Sequence, residues 1–448
     1  MEVGQLHKRL QTLGHSIRNH LVNGIVPFWT ARAEDKKFGG YLTNFDAKGR
    51  ALDTPEKWLN SQCGLVWAFS ALHRKRPQGA ELKRLAKVGA DFLIDRFWDR
   101  QHGGWYWKVQ RNGARLDDSK VLIGQAFAIH ALSEYHLATG DLRGMDHAGK
   151  TFDLLLRCCA DTLRGGYYEN FEPDWSRSAE GPQVSGRKSL DAHWHLMEAF
   201  TTLYAASRQE VHRRRLLEVT DIVARRMIDP ATGCGRSLFD LEFRPIPASS
   251  SGAGGTPALP KADGKAAPAP AAAAASGAPV ATPAPPAETT FYGRNVELAW
   301  LMRCALETAG ADAAPYRETM RRLLDHAAQH GLDRECGGIY REGAMTGSPT
   351  VLEKESCQHA ASLLGFLDGY EFFGEPRYLD AFEHVWRFVE KHLIVPGVGE
   401  WRTLLDRQGR PIDANVGNPW KVAYHTGRSM IECTERIERI LARLPAGA

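Results

Sequence analysis

The sequence predicts an all-α fold, an (α/α)6 barrel in which six inner helices form a ring and six outer helices cover it. Three observations carry that prediction. A glycine turn recurs at a near-constant period, each period holds two helical patterns, and the one irregular interval is explained by a low-complexity insertion.

The turn is a glycine pair followed by an aromatic or apolar residue. It stands at Gly39-Gly40-Tyr41, Gly103-Gly104-Trp105, Gly165-Gly166-Tyr167 and Gly337-Gly338-Ile339, with weaker copies at Gly233-Cys234-Gly235 and Gly399-Glu400-Trp401. Successive first glycines are 64, 62, 68, 104 and 62 residues apart, and a fixed period of this size marks a repeat architecture. The long interval contains residues 248–290, rich in Ala, Pro, Gly and Ser and nearly devoid of large apolar residues. Such a stretch buries too little surface to offset its ordering entropy, so it is expected to be a disordered surface loop. Without those 43 residues the interval shrinks to 61. The chain is therefore expected to be one domain, 1–448, interrupted by that insertion.

In the first period residues 59–74 and 81–99 repeat apolar positions every three or four residues, as do 120–140 and 145–163 in the second. The alternative arrangement of such hairpins is an open solenoid, whose terminal repeats would need polar caps. Six periods is the number that closes a ring.

The balance of 57 basic against 53 acidic residues gives a net charge of +4. That is no case for nucleic acid, where a clustered basic face is expected. Eight cysteines lie scattered without a C-x-x-C pair, Cys158 and Cys159 being adjacent. Reduced, buried thiols are expected. The N-terminal residues have no apolar run of signal-peptide length, and no segment approaches a membrane span. A cytoplasmic protein, monomer or homodimer, is the expectation.

Polar residues gather near the starts of the more apolar helices: Gln62, Gln125, His193 with His195, Asn295 with Glu297, Gln358 with His359, and His425. In a closed ring these ends converge on one mouth, where helix N-termini favour oxyanions. The glycine turns add Tyr41, Trp105, Tyr106, Tyr167 and Tyr168 as candidate walls of a sugar-sized pocket. Singly, each polar residue also suits a cap or a satisfied core group. His193 and His195, two apart on a helix, point about 200° away from each other and do not share a metal, and no H-E-x-x-H motif is present. No metal site is expected. His425 follows Trp420, Lys421 and Tyr424, so a proton carrier sits beside ring-stacking surfaces.

Several segments are similar to the N-acylglucosamine 2-epimerase family, in particular its cellobiose 2-epimerase and mannose-isomerising branch. They are Gln125 with residues 127–132, then 188–195, 293–300 and 420–425. The likeness runs through nearly the whole chain outside the insertion. It implies an (α/α)6 barrel and chemistry at carbon 2 of a free reducing sugar, through a cis-enediol and without metal or nucleotide. It implies that His425 is the C-terminal catalytic histidine, that His195 is a pocket histidine, and that Glu297 is the glutamate of a G-H-x-x-E motif.

Three positions depart from the family pattern. Arg294 stands where that motif has its other catalytic histidine. Near Cys63 and Gly64 the sugar-binding arginine is missing, and residues 355–360 lack the usual tryptophan and glutamate. Inversion at carbon 2 calls for acid/base groups on both faces, whereas an aldose–ketose shift works with His425 alone. His359 or His195 replacing the lost partner, and Arg294 binding the oxyanion or pairing with Glu297, are the open alternatives. Gln125, His193, Gln358, Tyr41, Trp105, Trp420 and Tyr424 are the candidate substrate contacts. Two other classes stay in view: a non-catalytic sugar-binding protein, and a glycoside hydrolase using Glu297 with Asp191 as a weak second carboxylate.

Overall fold

The computed structural model of the chain describes residues 3–75, 79–178, 186–246 and 288–445. The inner helices are α3 (Leu59–Lys75), α5 (Leu122–Thr139), α7 (Leu190–Ser207), α9 (Tyr292–Ala309), α11 (Ser356–Phe373) and α13 (Ala423–Arg443). Each packs on the next, and α13 packs back on α3, so the ring is closed and the fold is an (α/α)6 barrel. Outer helices α4 (Gly79–Phe92), α6 (Leu142–Leu154), α8 (Glu210–Ile222), α10 (Arg317–His326) and α12 (Pro376–Phe388) cover the seams. The sixth outer helix comes from the other end of the chain. Helix α1 (Val3–His20), continued by α2 (Val26–Arg32), packs on α13. The two termini thus complete one hairpin, which holds the barrel shut.

The two layers differ as their burial demands. Every residue of α3 from Leu59 to Leu72 is buried, as a helix surrounded by others must be. Helix α12 buries Tyr378, Leu379, Ala381, Phe382, Val385, Trp386 and Phe388 at helical spacing and leaves its opposite face to solvent. All six outer helices end in a five-residue π-helical turn: Leu21–Ile25, Leu93–Phe97, Leu155–Cys159, Val223–Met227, Ala327–Gly331 and Val389–Leu393.

The connections back to the inner ring are more ordered than the expected simple turns. Short antiparallel strands form there; Glu56–Trp58 pairs with Lys108–Gln110, which pairs with Arg115–Asp117. Thr289–Phe291 is one of these strands. Residues 289 and 290 therefore belong to the barrel, not to the expected 248–290 insertion, and 248–287 lie outside the described residues.

Every glycine turn is clasped by a polar side chain, and five of the six are also locked by a buried lysine–carboxylate pair; in the fourth, Asp229 meets Arg236 instead. The side chain of an aspartate four residues before the first glycine meets a buried lysine that directly precedes or lies just before the next inner helix: Asp35 with Lys57 at 3.0 Å, Asp99 with Lys120 at 2.7 Å, Asp161 with Lys188 at 2.9 Å and Asp333 with Lys354 at 3.0 Å. In the last repeat Glu400 meets Lys421 at 3.0 Å. These pairs are buried but satisfied, so losing one partner is the costly event.

The second lock is a polar side chain from the first turns of the inner helix, which takes the backbone N–H just past the glycines. Gln62 accepts from Tyr41 at 2.8 Å and donates to its carbonyl at 3.0 Å; Gln125 does the same for Trp105 at 3.0 and 2.9 Å. Nε2 of His193 accepts from Tyr167 at 3.1 Å, Asn295 from Gly235 at 3.0 Å, and Nε2 of His359 from Ile339 at 3.3 Å. In the sixth repeat Glu400 accepts from Trp401 at 2.7 Å and from Thr426 at 3.1 Å. The second glycine is needed where the two meet. Gly166 has φ 76°, and a Cβ there would lie 2.7 Å from Nε2 of His193.

Candidate active site

These clasps correct the expectation that all the polar residues at the inner-helix starts line one mouth. Gln125, His193 and His359 are fully buried between the inner and outer layers, with their polar atoms spent on backbone. Nδ1 of His193 lies 2.8 Å from the Ser189 carbonyl, and Nδ1 of His359 lies 2.8 Å from that of Glu355. Each ring therefore carries its proton on Nδ1 and is neutral. Burial pushes His193 down to about 4 and His359 to about 3. In each ring both nitrogens are taken by backbone groups.

Tyr41, Trp105 and Tyr167 are also core, at 1%, 0% and 1% exposure. The Tyr41 hydroxyl donates to the Leu85 carbonyl and Trp105 Nε1 to Thr151. Tyr106 and Tyr168 each lie against a cation, Lys120 over one ring and Arg177 over the other.

Helical geometry says what does face the axis. At 100° per residue, positions one before, two after and five after a clasp point to the opposite side of the helix from it. Two after lie Gly64, Phe127, His195, Glu297, Ala361 and, from Thr426, Arg428. Five after lie Trp67, His130, Glu198 and Trp300. The structure brings members of these two layers into one cluster.

Arg428 is its centre. Nη1 donates to Glu198 and, at 3.0 Å, to the Tyr424 hydroxyl, while Nη2 donates to Glu297. The guanidinium also lies 4.5 Å from the Tyr424 ring and 5.2 Å from Trp300. Its Nε is buried and has no hydrogen-bond partner among the described residues. Burial would raise Glu198, but Arg428, with His130 and His195, more than offsets it and holds the carboxyl well below its ordinary range. Glu297 goes the other way: burial, aided by the charge of Glu198, outweighs Arg428 and raises it. Two carboxylates share one guanidinium, and the one with fewer cationic neighbours keeps its proton longer.

His195 sits at the open end of this cluster, its side chain 17% exposed, with Nδ1 3.5 Å from Glu198. Its ring lies 4.8 Å from Phe127. His425 is one helical turn before Arg428 on the same face of α13, half-buried, and it makes no hydrogen bond among the described residues. Burial, with Arg428 and His195 adding and Glu198 opposing, drives its imidazole down to about 3. It is a neutral acceptor across the working pH range. At the floor His130 stacks on Trp67 at 5.5 Å.

Arg294 and Gln358 share the register of His425, one before the clasp. Arg294 holds both oxygens of Asp191, at 2.8 and 2.9 Å, and lies over Phe291. It is thus not the partner of Glu297, and Asp191 is not a free carboxylate. Gln358 keeps a buried Oε1 without a partner among the described residues. The aromatic surface at this end is Trp420 with Trp58 and Trp107, their ring centroids 5.7 to 6.0 Å apart. Trp420 and Trp58 are only half-buried.

Of the residues expected at the site, the structure brings His195, Glu297, His425 and Tyr424 together around Arg428, while Trp420 packs with Trp58 and Trp107. Sequence reasoning had not assigned Arg428, His130, Glu198, Trp58, Trp67, Trp107 or Trp300 to the site. Counting two and five residues on from each clasp would have found most of them. In the same layer as Gly64, the neighbouring helix α13 carries the guanidinium of Arg428.

The sequence profile of the family described as N-acylglucosamine 2-epimerase matches residues 40–256 and 288–429. A cellobiose 2-epimerase of Bacteroides fragilis is 25% identical over 428 residues, spanning 94% of this chain and 98% of that protein. One of Dictyoglomus turgidum is 26% identical over 440 residues, spanning 96% and 100%. The structure of the cellobiose 2-epimerase of Spirochaeta thermophila matches with a TM-score of 0.81 at 27% identity, over 97% of this chain and 98% of that one. With more than half of its length matched, the chain belongs to the N-acylglucosamine 2-epimerase family.

Proposed function

We propose that the chain moves a proton at carbon 2 of a free reducing sugar through a cis-enediol, as a sugar 2-epimerase or aldose–ketose isomerase. The observation that carries this reading is the pairing on α13 of a neutral, unpartnered His425 with Arg428 one turn further in. His425 takes the proton from carbon 2. The electrons of that bond form the C1=C2 double bond, and the carbonyl electrons move onto O1. The partnerless Nε–H of Arg428 is a donor available to that oxyanion, in a site where burial strengthens the interaction. Glu297, tied to the same guanidinium, keeps it aimed. Trp420 is read as a stacking surface, and Gln358 and Arg294 as contacts to sugar hydroxyls. The relatives' activities, epimerisation of cellobiose and of N-acylglucosamine, support the reaction class. Eight unpaired cysteines fit a reducing, cytoplasmic compartment, and no helix among the described residues is long and apolar enough to cross a membrane.

Proton NMR in heavy water tests it on cellobiose, N-acetylglucosamine, mannose, glucose and fructose. Deuterium entering at carbon 2 of one of the aldoses, or at carbon 1 of fructose, is expected, and His425→Ala should abolish it. A folded protein that exchanges none of them overturns the proposal.

A further inference from the structure

The carboxylate of Glu198 is divided between two sets of neighbours. Oε1 faces Arg428 and, at 3.9 Å, Nε2 of His130. Oε2 is left for Nδ1 of His195, at 3.5 Å. Glu198 and His195 are one turn apart on α7, so the helix itself sets their approach. His130 is held from behind. Its Nδ1 lies 2.7 Å from the hydroxyl of Thr202, and its ring is stacked flat on Trp67. Its Nε2 is buried without a hydrogen-bond partner among the described residues. The Thr202 hydroxyl also reaches the Glu198 carbonyl, at 3.3 Å. His130 therefore cannot move without disturbing the helix segment that carries Glu198.

We propose that His195 is the second proton carrier of this site, and that Glu198 and His130 are its positioning residues. The inference rests on the enediol reading above and adds the opposite face of the sugar to it. A carboxylate facing Nδ1 favours the tautomer with its proton on that nitrogen and leaves Nε2 for proton exchange. Arg294 cannot do this work, because a guanidinium does not give up its proton in a protein. His359 cannot either, because both its nitrogens are engaged with backbone. The atom balance gives the two carriers separate products. Once His425 has taken the carbon 2 proton, a proton carried on Nε2 of His195 passes to carbon 2 from the other face, the O1 electrons re-form the carbonyl, and the 2-epimer results with that Nε2 left bare. Return of that proton from His425 to carbon 1, with the O2 proton passing to O1 as C2=O2 forms, gives the ketose and needs one face only.

The first test reads the tautomer directly, by long-range proton–nitrogen NMR on protein labelled at histidine nitrogens, with the His195 signals assigned by their loss in His195→Asn. At about pH 8, where a free imidazole is neutral, a proton on Nδ1 and a bare Nε2 are expected, and Glu198→Gln should abolish that preference. A proton on Nε2 with a bare Nδ1 overturns the couple even if the protein is active. The second test follows products from whichever aldose exchanges in the assay above. His195→Asn, which leaves the Arg428 network intact, should abolish the 2-epimer while ketose formation persists. Glu198→Gln should lower kcat for the 2-epimer roughly 100-fold or more, a general acid–base effect, with KM within about threefold. His130→Phe keeps the stack on Trp67 and should lower it roughly tenfold, the lower end for loss of a positioning partner. Unchanged product ratios in folded His195→Asn refute the proposal. Absence of any exchange in the unaltered chain defeats the reaction class instead, so the two failures are distinguishable.

Discussion

The clasp histidines make the chain acid-labile in a way that glutamine can cure. His193 and His359 each accept a backbone N–H through an imidazole lone pair, so protonation would set N–H against N–H. Lys188 and Phe243 face His193, while Lys354, His384 and Phe388 face His359. Carboxylates are absent from both sets, so nothing compensates a positive charge. The folded values, about 4 and about 3, lie below the ordinary 6.5. The unfolded chain therefore binds these protons first as pH falls, and stability present above about 6.5 is lost below it. Between about pH 7.5 and 5 each histidine costs roughly 2 kcal/mol, or about 4 kcal/mol for the pair, from one pKa unit being about 1.4 kcal/mol. The repeats already use glutamine for the same bond at Gln62 and Gln125. His193→Gln/His359→Gln should therefore match the parent at about pH 7.5 to within roughly 1 kcal/mol, the net worth of one hydrogen bond. At about pH 5 it should exceed the parent by roughly 3 kcal/mol or more. Urea unfolding at the two pH values measures the difference, and other buried histidines such as His20 and His326 cancel because both proteins contain them. Parallel loss of stability in both proteins would refute the reasoning. So would abolition of carbon 2 exchange by His193→Gln alone, since that would put His193 back among the substrate contacts.

Arg428→Met leaves Glu198 and Glu297 buried without their shared cation, and should cost about 3–5 kcal/mol in urea unfolding; adding Glu198→Gln and Glu297→Gln should recover most of that stability but no carbon 2 exchange. Lys120→Met strands Asp99 behind the second glycine turn and should cost a similar about 3–5 kcal/mol, with KM for any active sugar little changed if the protein stays folded. Trp420→Ala removes a half-buried face of the tryptophan group, and should raise KM roughly two- to tenfold with kcat nearly constant, the size of an aromatic contact of about 0.5–1.5 kcal/mol.

Much of the architecture is a local property, and so was readable along the chain. The glycine turns need left-handed backbone, the helices need apolar positions every three or four residues, and the period counts the hairpins. His195 was separable from His193 because two residues along a helix is a turn of 200°. The Asp–Lys locks were also within reach, since aspartate precedes each of four glycine pairs at the same distance. They went unread because the partner lysine lies 21 to 27 residues further on, beyond any local pattern.

What only the tertiary structure decided is which polar residues face inward. Gln125, His193 and His359 looked like pocket residues because a polar group at an inner-helix start serves equally to hold a turn or a ligand. The choice depends on its angle to a ring that does not exist until six helices close. Arg428 shows the same limit from the other side. Its partners Glu198 and Glu297 lie 230 and 131 residues away on other helices, and only the closing of the ring, with α13 packed on α11 and α3, brings that guanidinium between them. Sequence periodicity determined the barrel; the register of each helix about its own axis, set by packing on both neighbours, determined the site.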